Sequence, residues 1–370
     1  MGNFNKLGLK KEILEVLSRL KFTNTLEVQD QIVPLVIKRK NVVFTSRTGS
    51  GKPLAYLLGY LGKINKKRNA QMIVVVPTRE LCIQVGKEIK TFCDILGINV
   101  GMLYGGREIK GDYRTLNKKN QIIVATPGRL ILHVNDKKIK VGEVKYLVYD
   151  ESDQMFDHGF YDDCLYLKER ISNDAQIVLS SATITKKVDN FIKEEIVDYE
   201  LLQIGSLIPE NILQEKLYCE KIEKNEILLN LFSKRKFKRA MVFCNTKQKS
   251  YNIAQFFQKN KFNAKSLSGD LEHKERQNHL NLFKAGKIKI LVATDVASRG
   301  LHIETVDIII NYDVPTKEEF YVHRIGRTGR VDKKGYSLTL VCPEDVKRLS
   351  DIELKYDLII EEINKKSASN

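Results

Sequence analysis

The sequence has few cysteines, and none of them forms a closely spaced pair. Its six cysteines show no C-x-x-C pattern and lie at positions 82, 93, 164, 219, 244 and 342. Scattered thiols of this kind are typical of reduced, mostly buried side chains in an intracellular protein. They argue against metal binding through cysteine.

Long apolar segments are also absent. No run of eighteen apolar residues occurs, and the N-terminus lacks the apolar core of a signal peptide. The start MGNFNK resembles a myristoylation signal only weakly, because Lys6 stands where Ser or Thr is required. We therefore expect a soluble intracellular protein with no membrane partner. The sequence leaves nucleus, nucleolus and cytoplasm open.

Acidic residues are outnumbered by basic ones. The 370 residues include 62 Lys and Arg against 46 Asp and Glu, which gives a net charge of +16. A chain this basic favours a polyanionic partner, most simply nucleic acid, over the alternative of a solvated charged surface. With 42% hydrophobic residues, the chain is long and apolar enough for two domains.

Short apolar runs alternate with longer helical patterns along the chain. The first half contains NVVFTS, MIVVVP, QIIVATP, YLVYD and QIVLSSA, and the second contains RAMVFCN, NAKSLSG, KILVATD, VDIIINYD and GYSLTLVCP. Apolar strands between helices are typical of a parallel sheet covered on both faces. We predict an α/β fold of two tandem, doubly wound domains, residues 1–205 and 213–370, joined by a short linker at residues 206–212.

The stretch SRTGSGKPLAY lies between a predicted strand and a predicted helix. A glycine loop at a helix N-terminus binds phosphate, because unpaired amides and the helix dipole point at the ligand. Lys52 would reach the β and γ phosphates. The strict phosphate-loop pattern fails at Ser46 and Pro53, so the loop alone leaves a nucleotide site and an ordinary turn equally open. The candidate contacts are Arg47, Thr48, Gly49, Ser50, Gly51, Lys52 and Pro53.

The segment YLVYDESD places Asp150 and Glu151 at the carboxyl end of a predicted strand. One carboxylate can hold Mg²⁺ through water while its neighbour orients or deprotonates the attacking water. We assign Asp150 to the metal and Glu151 to the base. The alternative, an ordinary acidic loop start, is weakened by the basic loop on another strand of the same predicted sheet.

The segment HRIGRTGR contains Arg324, Arg327 and Arg330, which lie three residues apart. On a helix, residues at this spacing share one side. Guanidinium groups offered across a cleft stabilise the charge on a transferring phosphoryl group. The alternative is a basic helix face, but two glycines make this a poor helix to choose for stability alone. We assign Arg327 and Arg330 to catalysis.

The order and spacing of these elements resemble the DEAD-box RNA helicases over essentially the whole chain. The acidic motif reads Asp150-Glu151-Ser152-Asp153, with serine in place of alanine. The other motifs that stand in the family's order are PTREL (77–81), GG (105–106), TPGR (126–129), SAT (181–183), VFCNT (242–246), ATDVASRG (293–300) and HRIGRTGR (323–330). The resemblance implies two RecA-like domains and an ATP-dependent RNA helicase.

The resemblance also implies where ATP and RNA bind. Phe22 can pack on adenine, and the Gln29 amide can donate to and accept from its edge. Ser181 and Thr183 are implied to link hydrolysis to strand separation. The implied RNA contacts are Pro77, Thr78, Arg79, Gly105, Gly106, Arg107, Thr126, Pro127, Gly128, Arg129, Arg276 and Thr294. Such contacts track the backbone of a single strand or short duplex and read little sequence.

Three departures from the family pattern are at positions expected to contact ATP or RNA. Pro53 has neither the hydroxyl nor the amide hydrogen expected after Lys52. His302 replaces an aspartate that the resemblance assigns to the ATP ribose, and His273 replaces a glutamine. We therefore predict an RNA helicase with reduced turnover that unwinds RNA duplexes or remodels RNA–protein complexes.

Two alternatives stay open. One is an ATP-gated RNA clamp or scaffold with little turnover, and the other is a DNA helicase or repair translocase of the same architecture. Because the sequence has little outside its two domains, we expect its specificity to come from protein partners. We also expect a monomer.

Overall fold

A computed structural model of the chain describes residues 2–47, 49–208, 211–298, 306–329 and 334–365. The chain divides into two units, residues 1–207 and 208–370. Three site residues predicted from the sequence, Thr48, His302 and Arg330, lie outside the described residues, as does the side chain of His273.

Seven strands among the described residues of the first unit form one sheet. Most are short runs of branched or aromatic apolar residues, which favour an extended backbone. They are β1 (Asn41–Ser46), β2 (Met72–Val75), β3 (Val100–Leu103), β4 (Ile122–Ala125), β5 (Tyr146–Tyr149), β6 (Gln176–Ser181) and β7 (Tyr199–Ile204). All pair in parallel, in the order β3-β4-β2-β5-β6-β1-β7.

Helices cover both faces of this sheet. They are α1 (Lys11–Arg19), α2 (Glu27–Ile37), α3 (Lys52–Leu61), α4 (Arg79–Ile95), α5 (Ile109–Leu116), α6 (Pro127–Asn135), α7 (Ser152–Asp157), α8 (Tyr161–Arg170) and α9 (Lys186–Glu195). Because side chains alternate along a strand, Val42 and Phe44 of β1 pack with α1 to α4, whereas Val43 packs with α6 to α9. The unit therefore has an apolar core on each side of its sheet.

The second unit repeats this plan. Its strands in the described residues are β8 (Ile212–Tyr218), β9 (Ala240–Phe243), β10 (Ala264–Leu267), β11 (Ile290–Ala293), β12 (Ile308–Asn311), β13 (Gly335–Val341) and β14 (Glu361–Glu362). They pair in parallel in the order β10-β11-β9-β12-β13-β8-β14. The helices are α10 (Lys224–Lys234), α11 (Lys247–Lys259), α12 (His273–Lys284), α13 (Asp295–Ser298), α14 (Glu318–Ile325) and α15 (Val346–Tyr356).

The predicted fold class of two tandem, doubly wound parallel sheets is confirmed. The prediction omitted β3, β7, β8 and β14, because these strands lack an unbroken apolar run. Gly101 interrupts β3, and half of the side chains of the edge strand β7 are exposed. β8 begins at Ile212, inside the segment that we assigned to the linker.

Two further expectations concern the cysteines and the membrane. All six cysteines are buried and unpaired, and burial raises the pKa of the Cys82 thiol to about 12. In the part of the chain that the structure describes, no helix is both long and apolar enough to span a bilayer.

Candidate nucleotide and nucleic-acid site

The loop after β1 has the backbone of an anion site. Gly49 and Gly51 have positive φ angles of 81° and 86°, which favour glycine. A Cβ atom at Gly51 would lie 2.8 Å from Gln29 Nε2, so a side chain there would collide. Gly51 caps α3 without a side-chain hydrogen bond, which leaves the first amides of α3 to a ligand.

Lys52 and Pro53 are the first two residues of α3. Lys52 is 5% exposed, and its Nζ lies 3.5 Å from the Ser46 carbonyl oxygen and 3.4 Å from that of Arg47. These contacts are long, so the ammonium group keeps most of its capacity to bind an anion. Ser50 accepts a hydrogen bond from the Ser46 hydroxyl at 2.6 Å, which ties the end of β1 to the loop.

The predicted adenine-binding residues differ in their surroundings. Gln29 is buried beside the phosphate loop, and its Oε1 accepts a hydrogen bond from the Leu26 amide at 3.0 Å. Phe22 is 42% exposed, and its ring centroid lies 5.3 Å from that of Phe92. The structure therefore brings Gln29 against the loop, and Phe22 packs on Phe92 of α4.

Asp150 follows β5 and is held from two sides. Its Oδ2 accepts a hydrogen bond from the Tyr56 hydroxyl at 3.2 Å, and its Oδ1 accepts one from Ser180. Tyr56 lies on α3 and Ser180 on β6, the strand between β1 and β5. Burial raises the pKa of Tyr56 well above its usual range, and Asp150 adds to this shift. The phosphate-loop helix and the carboxylate therefore meet at one edge of the sheet.

Glu151 is buried and adopts a φ of 56°. A residue with a side chain is strained in this left-handed region, and such strain is concentrated at functional sites. The Glu151 Oε2 atom accepts a hydrogen bond from Gln154 Nε2 at 2.8 Å. The carboxylate is thus turned differently from that of Asp150, although the two residues are adjacent.

The acidic motif is joined to the SAT motif by hydrogen bonds. Asp153 Oδ2 accepts from the Thr183 amide at 3.0 Å and from its hydroxyl at 2.9 Å. Ser181 accepts from the Asp153 amide at 3.3 Å and donates to the Thr183 carbonyl oxygen at 2.8 Å. Four hydrogen bonds therefore connect Asp153, Ser181 and Thr183 to one another.

The predicted RNA residues of the first unit lie at the carboxyl ends of β2, β3 and β4. Thr78 begins α4 and accepts a hydrogen bond from the Leu81 amide at 3.2 Å. The Arg79 guanidinium lies against Gly105 and Gly106, and a Cβ atom at Gly106 would lie 1.8 Å from Arg79 Nη1. The turn from Thr126 through Pro127 and Gly128 opens α6. Among the described residues outside its own turn, no heavy atom lies within 4 Å of a Cβ built at Gly128.

Arg107 and Arg129 share one buried carboxylate. Arg107 Nε lies 2.8 Å from Asp112 Oδ1, and Arg129 binds Asp112 Oδ2. His133 Nε2 lies 2.8 Å from the same Oδ2 atom. The two arginines that we assigned to RNA are therefore held in fixed positions by Asp112, which the sequence analysis missed.

In the second unit, Arg276 and Thr294 come together near α13. Arg276 Nη2 donates to the Ala297 carbonyl oxygen at 3.0 Å, and Thr294 Oγ1 accepts from the Ala297 amide at 3.4 Å. The segments that carry these two predicted RNA residues therefore converge on Ala297.

The prediction that Arg324 and Arg327 share one side of a helix is wrong, and Arg330 lies outside the described residues. α14 ends at Ile325, because Gly326 caps it, so Arg327 lies beyond the helix. Arg324 is fully buried and binds both oxygens of Asp295, at 2.6 and 2.7 Å. Its guanidinium also donates to Asn245, Asn311 and the Asp313 carbonyl oxygen. Arg324 therefore stabilises the second unit itself.

Two helicase family models match this chain, one in each unit. A model of the DEAD/DEAH box helicases matches residues 26–191, and a model of the helicase conserved C-terminal domain matches residues 223–332. The DEAD-box ATP-dependent RNA helicase CshA of Geobacillus kaustophilus is 36% identical over 356 residues, which are 95% of this chain and 76% of that protein. The chain belongs to the DEAD-box helicase family.

Other DEAD-box relatives are similar over most of their length. RhpA of Helicobacter pylori, a DEAD-box ATP-dependent RNA helicase, is 33% identical over 97% of this chain and 73% of its own. The solved structure of Saccharomyces cerevisiae Dbp5 bound to RNA and ADP BeF3 has a TM-score of 0.88 at 27% identity, covering both chains fully. A DEAD box protein from Methanococcus jannaschii has a TM-score of 0.58 at 33% identity, with 98% and 99% covered.

Several polar residues of this DEAD-box protein were missed from the sequence. Tyr56, Ser180 and Asp112 contact predicted site residues, and Asp295 holds Arg324. No spacing pattern distinguishes them from ordinary polar residues on helices and strands. The available signal was their position in the sequence, since Ser180 directly precedes the SAT motif and Asp295 lies within ATDVASRG.

The donor atoms of the acidic motif are compatible with Mg²⁺ held through water. A carboxylate has about four lone-pair positions, so Asp150 can bind water in addition to Tyr56 and Ser180. The Ser152 hydroxyl is buried and has no hydrogen-bond partner among the described residues. Pro53 supplies no hydroxyl. The residues present fit a magnesium ion on the side of Asp150, without a ligand from the residue after Lys52.

Proposed function

We propose that this chain is an ATP-dependent RNA helicase whose ATP hydrolysis is stimulated by RNA and coupled to local unwinding or remodelling of RNA. The relatives named above support this function over the clamp or scaffold alternative. The structural observation that carries it is the Tyr56–Asp150 hydrogen bond, which joins the phosphate-loop helix to the acidic motif at one sheet edge.

The nucleotide is proposed to bind along the carboxyl ends of β1, β6 and β5. The amides of the loop and the Lys52 ammonium would bind its phosphates, and Gln29 and Phe22 its base. Mg²⁺ would be held by Asp150 through water and would neutralise phosphate charge. Glu151 would accept a proton from the attacking water, which its separate orientation permits.

RNA is proposed to bind by its sugar–phosphate backbone. Arg79, Arg107 and Arg129 are supported by the glycine pair and by Asp112, so their guanidinium groups are positioned before RNA arrives. In the second unit, Arg276 and Thr294 would contribute further contacts. The hydrogen bonds from Asp153 to Thr183 support the proposed link between hydrolysis and RNA binding.

The proposed role of Arg327 and Arg330 is to stabilise charge on the transferring phosphoryl group. Arg327 is buried, and its amide donates to the Arg324 carbonyl oxygen at 3.1 Å, so it follows directly on a rigidly held arginine. We also propose that the chain is a monomer and that protein partners supply specificity. A solved structure of the yeast relative Dbp5 contains Gle1, which supports the second point for this family.

Phosphate release measured with and without RNA tests this function. We expect ATPase activity that RNA stimulates and DNA does not, because a 2′-hydroxyl distinguishes the two at a binding site. Strand displacement from a short RNA duplex should require ATP, and Lys52→Ala should abolish both activities. ATP-dependent RNA binding without RNA-stimulated turnover would support the clamp instead, and equal stimulation by DNA would support a translocase.

A further inference from the structure

A basic cavity of about 750 Å³ lies at the amino ends of strands in the first unit's sheet. The nucleotide site lies at the carboxyl ends of strands in the same sheet. The cavity is lined by the residues that precede β2, β4 and β5, among them Gln71, Asn120 and Lys145. The same three strands carry Pro77, Thr126 and Asp150 just past their carboxyl ends. With about 3.3 Å per residue, a four-residue strand separates the two edges by roughly 13 Å before the loops are added. The cavity is therefore distinct from the proposed helicase site.

Positive charge dominates this cavity. Seven of its lining residues are Lys or Arg, and one, Glu143, is acidic. Lys140 lies 3.9 Å from Glu143, and Lys145 lies 2.9 Å from Asp174. The other five form no ion pair within the described part of the chain, and they are Lys67, Arg68, Lys119, Lys137 and Lys138. Like charges brought together without partners repel each other, so an anion would stabilise the cavity.

The segments that carry these cations are held by buried amide side chains. Gln71 Nε2 donates to the carbonyl oxygens of Asn65 and Arg68, at 2.7 and 3.1 Å. Gln121 Nε2 donates to the carbonyl oxygens of Lys66, Arg68 and Lys119, at 3.1, 3.3 and 2.9 Å. Both glutamines are at most 5% exposed. The backbone below the cations is therefore fixed on the sheet.

An ordinary structural role explains only part of this charge. Lys119, Lys137 and Lys138 follow α5 and α6, where cations offset the negative end of a helix dipole. Lys67 and Arg68 lie several residues beyond the end of α3 at Leu61, too far to offset its dipole in the same way. Lys145 directly precedes β5. The helix dipoles thus leave the convergence of three separate segments on one cavity unexplained.

We propose that this cavity is a second RNA-binding surface that takes phosphate groups of the RNA backbone. Lysines without acidic partners bind phosphate as point charges, and the lining residues include no aromatic side chain on which a base could stack. The contacts are therefore independent of base sequence. A long RNA bound at the helicase site can reach the cavity, whereas a short one cannot. The identity of this ligand rests on the proposed function.

Fluorescence anisotropy with two lengths of RNA tests the proposal. The short RNA has about ten nucleotides, within the usual site size of single-strand binding proteins, and the long RNA is several times longer. The test variant is Arg68→Glu with Lys138→Glu, on two different walls of the cavity. The matched control is Lys186→Glu with Lys187→Glu, which reverses two exposed charges on α9 of the same unit.

The cavity variant should bind the long RNA more weakly and keep its affinity for the short one, while the control variant changes neither. Its salt dependence with the long RNA should become shallower by about 0.7 in slope for each phosphate group that the cavity no longer binds. Equal weakening in the control variant, or none in the cavity variant, would overturn the proposal. Calorimetry with inorganic tripolyphosphate gives a further test. If the cavity variant no longer binds tripolyphosphate but binds long RNA as tightly as the wild type, the proposal is also overturned. Failure of the wild type to bind the short RNA would instead contradict the proposed function.

Discussion

The hydroxyl of Tyr56 donates a hydrogen bond to Asp150 across 3.2 Å, and both residues are buried. Tyr56 lies one turn into the helix that begins at the phosphate loop, and Asp150 opens the acidic motif. Ser180 donates to the second oxygen of the same carboxylate. The orientation of Asp150 is thus set by protein groups before any ligand is bound, which reduces the entropy cost of binding.

The first prediction is that Tyr56→Phe raises the Mg²⁺ concentration needed for half-maximal ATPase activity. A hydrogen bond to a charged group contributes roughly 1.5–3 kcal/mol, and Asp150 would keep only the bond from Ser180. The measurement is a Mg²⁺ titration of RNA-stimulated phosphate release. Tyr60→Phe is the matched control, because its hydroxyl lies on the same helix but 3.4 Å from the Gln71 carbonyl oxygen. Equal effects in both variants would argue for a general packing defect.

The edge of the sheet that carries the site could be predicted from the sequence, but its internal contacts could not. Unbroken apolar runs end at Ser46, Asp150 and Ser181, and parallel strands place such ends together. Tyr56 lies in an apolar helical segment, where the sequence pattern predicts only that its ring packs in the core. Whether its hydroxyl meets Asp150 depends on packing between residues 94 positions apart.

The arginine-rich segment shows where local pattern reasoning fails. A spacing of three suggested one helix face, yet Gly326 ends the helix after Ile325. Arg324 binds Asp295, the first residue of α13, which lies 29 residues earlier in the chain. The sequence contains both residues but no periodic signal that pairs them. Arg327 keeps its proposed role in phosphoryl transfer, although it lies beyond the end of α14.

The second prediction is that Glu151→Gln abolishes turnover while ATP-dependent RNA binding persists or tightens. The amide keeps the size of the carboxylate and can still accept the hydrogen bond from Gln154, but it cannot take a proton from water. General-base catalysis contributes about 10²–10⁴-fold, so phosphate release should fall by at least the lower figure. Glu15→Gln, on the exposed side of α1, serves as control. Unchanged hydrolysis in Glu151→Gln would remove this residue from the catalytic role.

The third prediction concerns salt. RNA affinity should fall steeply as salt rises, with a slope of about −0.7 for each phosphate contact to a single strand. Unrelated single strands of equal length should bind with similar affinity, because the candidate contacts are arginines and backbone groups. Anisotropy titrations at several salt concentrations measure both. Strong discrimination among sequences by the chain alone would contradict backbone binding.

The fourth prediction uses Glu88 on α4. Burial raises the pKa of this carboxyl to about 7, and the nearby charge of Asp150 contributes to the rise. The folded state therefore holds a proton on Glu88 that the unfolded state releases above its ordinary pKa of 4.5. The stabilising contribution of protonated Glu88 to the folded state is fully present below the ordinary pKa of 4.5, and it is lost as the pH rises through about 7.

The variant Glu88→Gln should therefore be more stable than the wild type at pH 8 and equal to it near pH 4.5. The gain should be on the order of 1–2 kcal/mol, since one pKa unit corresponds to about 1.4 kcal/mol and Glu88 is only half-buried. Urea denaturation at the two pH values measures it, with Glu15→Gln as control. A gain that is independent of pH would show that the effect comes from something other than ionisation.

The fifth prediction is that Pro53→Thr raises RNA-stimulated ATPase activity. Pro53 is the second residue of α3, where proline fits the backbone but provides no amide hydrogen and no hydroxyl. The rest of the loop is in place, with Gly49 and Gly51 in the left-handed conformation and Lys52 at the helix start. Restoring a hydrogen bond to a charged phosphate is worth roughly 1.5–3 kcal/mol, which corresponds to about a ten- to hundredfold gain.

Comparison with Pro53→Ala separates the two groups that proline lacks, since alanine restores the amide alone. If the hydroxyl acts on the metal, Pro53→Thr should exceed Pro53→Ala and should also lower the Mg²⁺ requirement. Thermal stability should change little in either variant, because all three residues are accepted in a first helical turn. A smaller gain is expected if His302 also limits nucleotide binding, and then Pro53→Thr with His302→Asp should exceed each single change. If Pro53→Thr leaves ATP affinity and turnover unchanged, proline does not reduce turnover here. If it lowers them, the loop depends on proline, and the phosphate contacts inferred for it are wrong.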